Sequence, residues 1–167
     1  MAETTVLRHL TIYTDGACHG NPGPGGYAAV LIHQGKRKEI SGGFNNTTNN
    51  RMELMAAIKG LEALKERCQV TLYSDSEYLV NAMTLGWVES WQAKGWKRNK
   101  KEKAKNVDLW KQLLKLIEYH EVEFKWTRGH VGTLENERCD VLANQAANQP
   151  NLPDDPINQS SDQSEMF

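Results

Sequence analysis

The sequence predicts an α/β domain in which helices flank a mixed five-stranded sheet. Three segments near the N-terminus alternate apolar and polar residues, as half-buried strands do, and their short connections favour an antiparallel meander. Beyond about residue 50, strands alternate with helices, a pattern typical of layered α/β folds. The 167 residues, 39% of them hydrophobic, suffice for one domain with a buried core.

The meander is predicted to consist of Leu10–Asp15, Tyr27–His33 and Glu39–Phe44, with a turn at Gln34-Gly35 joining the last two strands. Between the first two strands lies the segment Gly20–Gly26. Its density of Gly and Pro is too high for the interior of a strand or a helix, so we expect a loop there.

The second half of the domain is predicted from helical periodicity and from short apolar runs. Leu54, Ile58 and Leu61, for example, fall on one helical face. In chain order we expect a helix over Arg51–Arg67, a strand over Val70–Ser74, helices over Ser76–Thr84 and Val107–Tyr119, a strand over Val122–Thr127, parallel to the strand before it, and a helix over Leu134–Asn148.

The C-terminal segment differs in composition from the rest of the chain. From residue 149 onward it consists largely of Pro, Asn, Gln, Ser and Asp, which cannot bury enough apolar surface to order a chain. We therefore predict a domain over residues 1–148 and a disordered acidic tail over residues 149–167.

Composition also bears on location. No apolar run approaches the roughly 18 residues of a membrane span, and Met1–Arg8 lacks the pattern of a secretory signal. The three cysteines, Cys18, Cys68 and Cys139, form no CxxC pair. This spacing argues against a disulfide framework or a structural zinc site, and we expect a cytoplasmic protein.

The formal net charge of −1 conceals a local basic cluster. Seven Lys and Arg residues and only one acid, Glu102, lie between Lys94 and Lys105. Such a cluster in a nearly neutral chain favours a surface that binds a polyanion. The alternative is an ordinary solvated loop.

Four acids lie where a strand ends or within a helix. Asp15 ends the first predicted strand and Asp75 the fourth, Glu53 lies in the first turn of a helix, and Asp140 interrupts an apolar face of the last helix. Each acid taken singly is open to interpretation as a helix cap or a solvated charge. Acids at the carboxyl ends of neighbouring strands, however, converge where open α/β sheets place their sites.

Several long motifs, in unbroken order over about residues 8–148, closely resemble bacterial type I ribonuclease H. They are Thr14-Asp15-Gly16-Ala17-Cys18, Asn21–Gly26, Thr48–Ala57 with its Asn-Asn-Arg-Met-Glu, Asp75-Ser76, Asn106–Trp110, Gly129-His130 and Glu135–Asp140. The resemblance implies a ribonuclease H-like fold. It also implies an endonuclease that cleaves the RNA strand of RNA–DNA hybrids, leaves 5′-phosphate and 3′-hydroxyl ends, and acts in RNA primer removal and R-loop clearance.

By this resemblance, Asp15, Glu53, Asp75 and Asp140 are the catalytic carboxylates and hold two Mg²⁺ ions, for which Mn²⁺ is a possible substitute. Hard cations prefer oxygen ligands, and two of them would stabilise both the attacking and the leaving oxygen of a phosphodiester. His130, in a loop with glycines, would transfer protons near neutral pH.

The resemblance also implies the contacts with the hybrid. It assigns Cys18, Asn21, Asn49, Asn50 and Glu77 to the minor groove, Trp87 and Trp110 to the DNA strand, Thr48, Arg51 and Asn106 to a phosphate pocket, and Lys94 and Lys97 to a basic protrusion over about residues 91–105. Amides suit 2′-hydroxyl groups because they donate and accept, although the asparagines also fit simple turn chemistry. Glu77 departs from the family, which commonly has Gln there.

Two alternative functions remain open at this point: a catalytically silent hybrid-binding adaptor, and a nuclease of the same fold that acts on DNA. The intact carboxylates and histidine favour an enzyme over the adaptor. The sequence gives no positive signal for dimerisation, so we expect a monomer. The chain also ends in Gln163-Ser-Glu-Met-Phe167, which resembles the short peptides that bind bacterial sliding clamps. Gln163, Met166 and Phe167 would then be the anchors, with a solubilising tail as the alternative.

Overall fold

The computed structural model describes residues 6–128 and 134–156, and these form one five-stranded sheet flanked by helices. The strand order is β3-β2-β1-β4-β5, with β1, β2 and β3 antiparallel and β1, β4 and β5 parallel. The predicted fold class is thereby confirmed. The elements are β1 (Arg8–Cys18), β2 (Gly23–His33), β3 (Lys36–Thr47), α1 (Asn49–Glu62), β4 (Cys68–Ser74), α2 (Glu77–Thr84), α3 (Trp87–Ala93), α4 (Val107–Tyr119), β5 (Glu121–Trp126) and α5 (Leu134–Ala147).

Several elements differ from the sequence-based expectation. Strand β1 continues beyond Asp15 to Cys18, β3 spans Lys36–Thr47, and α1 ends at Glu62 instead of Arg67. Strand β2 begins at Gly23, inside the predicted loop, because Gly25 sits where a Cβ atom would lie 2.6 Å from Thr47 Cγ2. A glycine-rich strand is therefore required for close packing here. Helix α3 was not predicted. It is only seven residues long and lies between glycines with positive φ, Gly86 and Gly95.

Helices cover the two faces of the sheet unequally. Helices α1 and α4 pack together on one face, while α5 crosses β1, β2 and β3 on the other. The main core lies under α1 and includes Ile12, Leu54, Ile58, Leu72 and Leu113, all without exposed surface. Burial of each such side chain contributes roughly 1.5–3 kcal/mol, so α1 is fixed firmly against the sheet.

The strand register brings two of the predicted acids to one edge. Tyr13 of β1 lies opposite Tyr73 of β4 in the parallel pair, so the residues two positions further on lie at the same level: Asp15, still within β1, and Asp75, directly after β4. Gly16 then lets α1 approach, because a Cβ atom at this position would lie 2.6 Å from the backbone nitrogen of Glu53. The third acid is thereby brought against the first two.

The C-terminal segment corrects one prediction. Composition predicts disorder from residue 149, whereas residues 150–156 pack along the end of β3. The backbone N–H of Asn45 donates to the Pro153 carbonyl oxygen at 2.8 Å, and Asp155 has no exposed surface. A single buried ion pair, described below, orders a stretch whose composition offers little apolar surface.

No helix in the described residues combines the length and the apolar character needed to cross a membrane.

Candidate active site

The ends of β1 and β4 and the starts of α1 and α2 enclose a polar cleft of about 370 Å³. All four acids predicted from the sequence line it. The lining residues are Asp15, Gly16, Asn49, Asn50, Glu53, Asp75, Ser76, Glu77, Tyr78 and Asp140.

Three of the acids form a tight group. Asp15, Glu53 and Asp75 each offer a carboxylate oxygen, and these three atoms all lie within 4.8 Å of one another. Asp140 lines the same cleft from α5 but lies outside this group. It is partly exposed, and its Oδ1 accepts a hydrogen bond from Asn144 Nδ2 at 3.1 Å. The cleft thus contains a compact trio of carboxylates and a fourth one apart from them.

Burial and mutual repulsion make this trio electrostatically unfavourable. Asp15 is 6% exposed and Glu53 3%. Burial, followed by the negative charges of Asp75 and Asp140, raises the pKa of Asp15 to about 8. Burial, followed by the charges of Asp15 and Asp75, holds the pKa of Glu53 well above its usual range. Like charges brought this close cannot all ionise unless something positive joins them.

One oxygen atom of the carboxylate trio indicates what kind of positive group would bind there. Glu53 Oε1 is buried and has no hydrogen-bond partner among the described residues, although buried polar atoms are nearly always satisfied. Carboxylate oxygens are the ligands that Mg²⁺ and Mn²⁺ prefer. The unpartnered oxygen and the all-oxygen donor set therefore fit a divalent cation.

The residues predicted at the minor groove flank the cleft. Asn49 and Asn50 are exposed at the start of α1, and Asn21 Oδ1 accepts a hydrogen bond from the backbone nitrogen of Asn49 at 3.1 Å. The Cys18 thiol donates to backbone oxygens of its own loop and to Thr47. Glu77 begins α2 and is exposed at the cleft. These side chains form one polar rim along the mouth of the cleft.

The predicted phosphate pocket lies where two helices begin. Thr48 is the N-cap of α1, its hydroxyl accepting from the backbone nitrogen of Arg51 at 3.3 Å, and Asn106 is the N-cap of α4. Both are partly exposed, and helix N-termini attract anions. Arg51 differs: it is 2% exposed and its guanidinium pairs with the buried Asp155 and the partly exposed Asp108, so its predicted direct contact with phosphate finds no open surface.

The two tryptophans predicted to contact the DNA strand also differ in exposure. Trp87 is 40% exposed, whereas Trp110 has no exposed surface. Trp110 packs against Trp91, with ring centroids 6.1 Å apart, and its indole N–H donates to the Tyr78 hydroxyl at 3.1 Å. A ring enclosed in this way is a core residue and offers no face to a DNA strand, so of these two predicted contacts Trp87 is the exposed one.

The basic protrusion is an ordered feature. Lys94 and Lys97 are exposed on the segment that follows α3. A bridge between Lys97 and Lys103 and a 2.9 Å bond from the Ala104 nitrogen to the Trp96 carbonyl close this segment into a loop that presents its lysines to solvent.

Four predicted residues, His130, Gln163, Met166 and Phe167, lie outside the described residues. Conversely, sequence reasoning missed Tyr78, which lines the cleft, and Trp126, 46% exposed, whose indole N–H donates to the Asp75 carbonyl oxygen at 3.2 Å. The only sequence signal for either is an aromatic residue close to an assigned acid or strand end, which is too common to be diagnostic.

Comparison with known proteins gives consistent matches. The profile of the family described as RNase H matches residues 8–148. The chain is 62% identical over 151 residues to a ribonuclease H of Desulforamulus reducens, covering 90% of this chain and 95% of that protein. It is 57% identical over 148 residues to a ribonuclease HI of a Synechocystis strain, covering 87% of this chain and 92% of that one.

Solved structures agree with this match. LC9-RNase H1, described as a type 1 RNase H with the type 2 active-site motif, has a TM-score of 0.76 at 32% identity, over 87% of this chain and 74% of that one. LC11-RNase H1, solved in complex with an RNA/DNA hybrid, has a TM-score of 0.63 at 26% identity, over 83% and 96%. With its motifs, its fold and these matches in agreement, the chain belongs to the ribonuclease H family.

Proposed function

We propose that this protein is an endoribonuclease that hydrolyses the RNA strand of RNA–DNA hybrids with the help of two divalent cations, Mg²⁺ in the first instance. The observation that carries the proposal is the compact trio of carboxylates, two of them buried, with an unpartnered Glu53 oxygen. A protein that only binds nucleic acid gains nothing from this arrangement, because its uncompensated charge costs stability and repels phosphates.

The chain's own residues divide the work in this proposal. Asp15, Glu53, Asp75 and Asp140 would hold the cations. When bound, the cations would supply activation of water and stabilisation of charge on the attacking and leaving oxygens. The water oxygen forms a new bond to phosphorus while the bond from phosphorus to the 3′ oxygen breaks. The products are a 5′-phosphate and a 3′-hydroxyl end.

His130 is proposed to move protons between this site and solvent, because an imidazole titrates near neutral pH. His130→Ala should slow turnover without abolishing it, since the cations supply most of the charge stabilisation. Turnover equal to that of the wild type at every pH from 6 to 9 would remove His130 from the mechanism.

Selection of a hybrid is assigned to the polar rim and the protrusion. Asn21, Asn49, Asn50 and Glu77, with Cys18 beside them, would meet the 2′-hydroxyl groups that are accessible in the minor groove of A-like helices. Trp87, Thr48 and Asn106 would hold the DNA strand, and Lys94 and Lys97 would neutralise phosphates, which makes affinity fall as salt rises. The polar character and exposure of these side chains support the assignment.

One assay tests the proposal against both alternatives. We expect cleavage of an RNA–DNA hybrid, but not of duplex DNA or duplex RNA, in the presence of Mg²⁺, and no cleavage with chelator. Asp15→Asn should abolish cleavage while hybrid binding survives. The matched control is Asp154→Asn, an exposed acid far from the trio in sequence. Hybrid binding without cleavage in the wild type would identify an adaptor, and cleavage of duplex DNA a DNA nuclease. Repeating the assay with Mn²⁺ tests the substitute cation.

The cellular setting is proposed on separate grounds. All three cysteines are free thiols, which supports a reducing, cytoplasmic location. There the enzyme would act as a monomer in RNA primer removal and R-loop clearance.

A second proposal concerns the C-terminal peptide Gln163-Ser-Glu-Met-Phe167, as a ligand of a replication sliding clamp. Asp155, which is buried, lies eight positions before Gln163 in the sequence. Burial of Met166 and Phe167 would contribute about 1.5–3 kcal/mol each, less the cost of ordering, which supports affinity in the micromolar range.

Truncation after Asn158 tests the clamp proposal, because it removes the peptide and retains Asp155. We expect it to abolish clamp binding in calorimetry and to leave hydrolysis of free hybrid unchanged. Absence of heat from the wild type at about 100 μM clamp, where a complex of about −6 kcal/mol would register, would contradict it.

A further inference from the structure

The segment over residues 150–156, here called the strap, ends in the most enclosed acid of the structure. Asp155 has no exposed surface, and its Oδ2 accepts a 2.6 Å hydrogen bond from the Thr47 hydroxyl. Upstream, the Leu152 side chain lies close to Gly43 of β3, and Pro153 is bonded to Asn45. The strap therefore runs along β3 from α5 to the start of α1.

At its end the strap meets Arg51. Arg51 Nε and Nη2 donate to the two oxygens of Asp155, both at 2.8 Å, while Nη1 and Nη2 donate to the two oxygens of Asp108 at 2.9 and 2.7 Å. Nη1 also donates to Asn106 Oδ1 at 3.4 Å. A guanidinium has five N–H donors, so every donor of Arg51 is committed within the protein and none remains for a phosphate.

The hydrogen bond from Arg51 to Asn106 connects the buried ion pairs to a partly exposed residue. Asn106 accepts from Arg51 through Oδ1, and its Nδ2 donates to the Tyr78 hydroxyl at 3.1 Å. The amide is thus fixed at both ends, although Tyr78 requires only one of the two Nδ2 hydrogens. Asn106 is partly exposed and adopts a positive φ of 61°, a conformation that suits Asn better than most residues.

We propose that Asp155 is a positioning residue for substrate: it immobilises Arg51, which in turn orients the Asn106 amide so that the N-termini of α1 and α4 present one binding surface to a phosphate of the DNA strand. This inference rests on the proposed function, since that function supplies the phosphate. It gives a role in substrate binding to the strap, which lies outside residues 8–148, the range that matches the family profile.

The effect of neutralising Asp155 on hybrid affinity distinguishes positioning from simple electrostatics. Asp155 is an acid, so its removal would by Coulomb attraction alone strengthen the binding of a polyanion. If Asp155 acts through geometry, its neutralisation weakens binding instead, because a guanidinium that has lost a bidentate partner no longer holds the Asn106 amide. The two mechanisms therefore predict opposite signs.

The experiment measures hybrid binding by fluorescence anisotropy in chelator, and steady-state cleavage in Mg²⁺, well below each variant's unfolding midpoint. We expect Asp155→Asn to raise the hybrid Kd and KM about tenfold, the equivalent of about 1.4 kcal/mol, and to leave kcat within about twofold of the wild type. The matched control is the adjacent, exposed Asp154: Asp154→Asn should leave Kd, KM and kcat unchanged.

A double-mutant cycle separates positioning from general destabilisation. Asn106→Ala should raise Kd about as much as Asp155→Asn does, and the double variant should be no weaker than about tenfold, because both changes remove one contact. If the two residues acted independently, their effects would multiply and the double variant would bind hybrid about a hundredfold more weakly.

Three outcomes are distinguishable. If the wild type neither binds nor cleaves hybrid, the proposed function itself fails. If the wild type binds but Asp155→Asn matches Asp154→Asn, or if the double variant shows multiplied losses, the positioning role is overturned. Should Asp155→Asn fail to fold, Thr47→Val removes only the 2.6 Å bond to Asp155. It should raise Kd about threefold, roughly 0.7 kcal/mol, the scale of one hydrogen bond, and an unchanged Kd would overturn the proposal.

Discussion

Helix α1 carries two buried charged residues, Arg51 and Glu53, two positions apart, and each faces a pair of aspartates. Arg51 meets Asp108 and Asp155 in two bidentate ion pairs. Glu53 meets Asp15 and Asp75, which bear the same charge as itself. The first group pairs opposite charges within the protein, while the second brings like charges together. Two buried charged residues of the same helix therefore take part in a structural ion-pair network in one case and in a candidate metal site in the other.

The largest difference should appear when the charged residue of α1 is removed. Arg51→Ala leaves two carboxylates without their cation, and breaking a buried pair costs about 3–5 kcal/mol. Burial alone would lower the pKa of Arg51, but the bonds to Asp108 and Asp155 raise it above its usual value. Urea unfolding in metal-free buffer measures the loss.

Arg37 supplies a matched control for this variant. It also pairs with two acids, Glu39 and Glu135, but on the surface, where water screens the charges. Arg37→Ala should cost far less than Arg51→Ala. Equal losses would mean that burial does not distinguish the two arginines.

The carboxylate trio should make the stability of the metal-free protein depend on pH. The pKa of Asp15 in the folded protein, about 8, lies above the ordinary value of 3.8 for an aspartate, so the folded protein binds this proton more tightly than the unfolded chain. That stabilisation is complete below about pH 4 and is lost as pH rises through about 8. Without metal, we expect the melting temperature to fall over this range by about 10 °C, because one pKa unit corresponds to about 1.4 kcal/mol and one kcal/mol to about 2–4 °C.

Two comparisons isolate this effect. Asp15→Asn should flatten the decline between pH 6 and pH 8, and Mg²⁺ should restore the wild-type stability at pH 8, because a cation replaces the proton. His120, whose pKa is lowered by burial and by Arg67, opposes the trend below about pH 6.5 but is common to both proteins. A decline as steep in Asp15→Asn would assign it to other groups.

A smaller, favourable effect is expected when the acid of α1 is neutralised. Glu53→Gln relieves repulsion from Asp15 and Asp75 and should raise the metal-free melting temperature by about 3 °C, about 1 kcal/mol. Calorimetric scans in chelator measure it. A lower melting temperature would mean that the trio is already compensated within the protein.

The smallest effect is expected at Glu77, which lines the cleft but does not belong to the trio. Glu77→Gln removes an acceptor-only charge near substrate phosphates and restores a donor, so KM for hybrid should fall about threefold, the scale of one hydrogen bond. Hybrid titrations at constant Mg²⁺ test this, and a raised KM would show that the carboxylate is preferred here.

Much of the candidate site could be predicted from sequence because its parts obey local rules. Asp15 lies near the carboxyl end of β1 and Asp75 directly follows β4, and neighbouring parallel strands end at a common edge. Gly16 has no side chain to obstruct the helix that brings Glu53. The fold followed similarly from alternation and helical periodicity.

The other group of α1 could not be predicted, because it depends on a single pairing across 104 positions, between Arg51 and Asp155. Composition averages over a segment and predicts disorder for the strap, whereas one buried ion pair and a backbone hydrogen bond order it. The enclosure of Trp110 was equally invisible, since it depends on how Trp91 and Tyr78 pack around it.

The most direct test of this comparison is the Mg²⁺-dependent rate of hybrid cleavage at saturating hybrid, measured for the wild type, Glu53→Gln and Asp155→Asn. We expect Glu53→Gln to be more stable than the wild type yet to lose essentially all cleavage, and Asp155→Asn to be less stable yet to keep its kcat within about twofold, on the scale in which 1.4 kcal/mol is tenfold. Substantial Mg²⁺-dependent cleavage by Glu53→Gln would contradict the assignment of the carboxylate trio as the catalytic metal site.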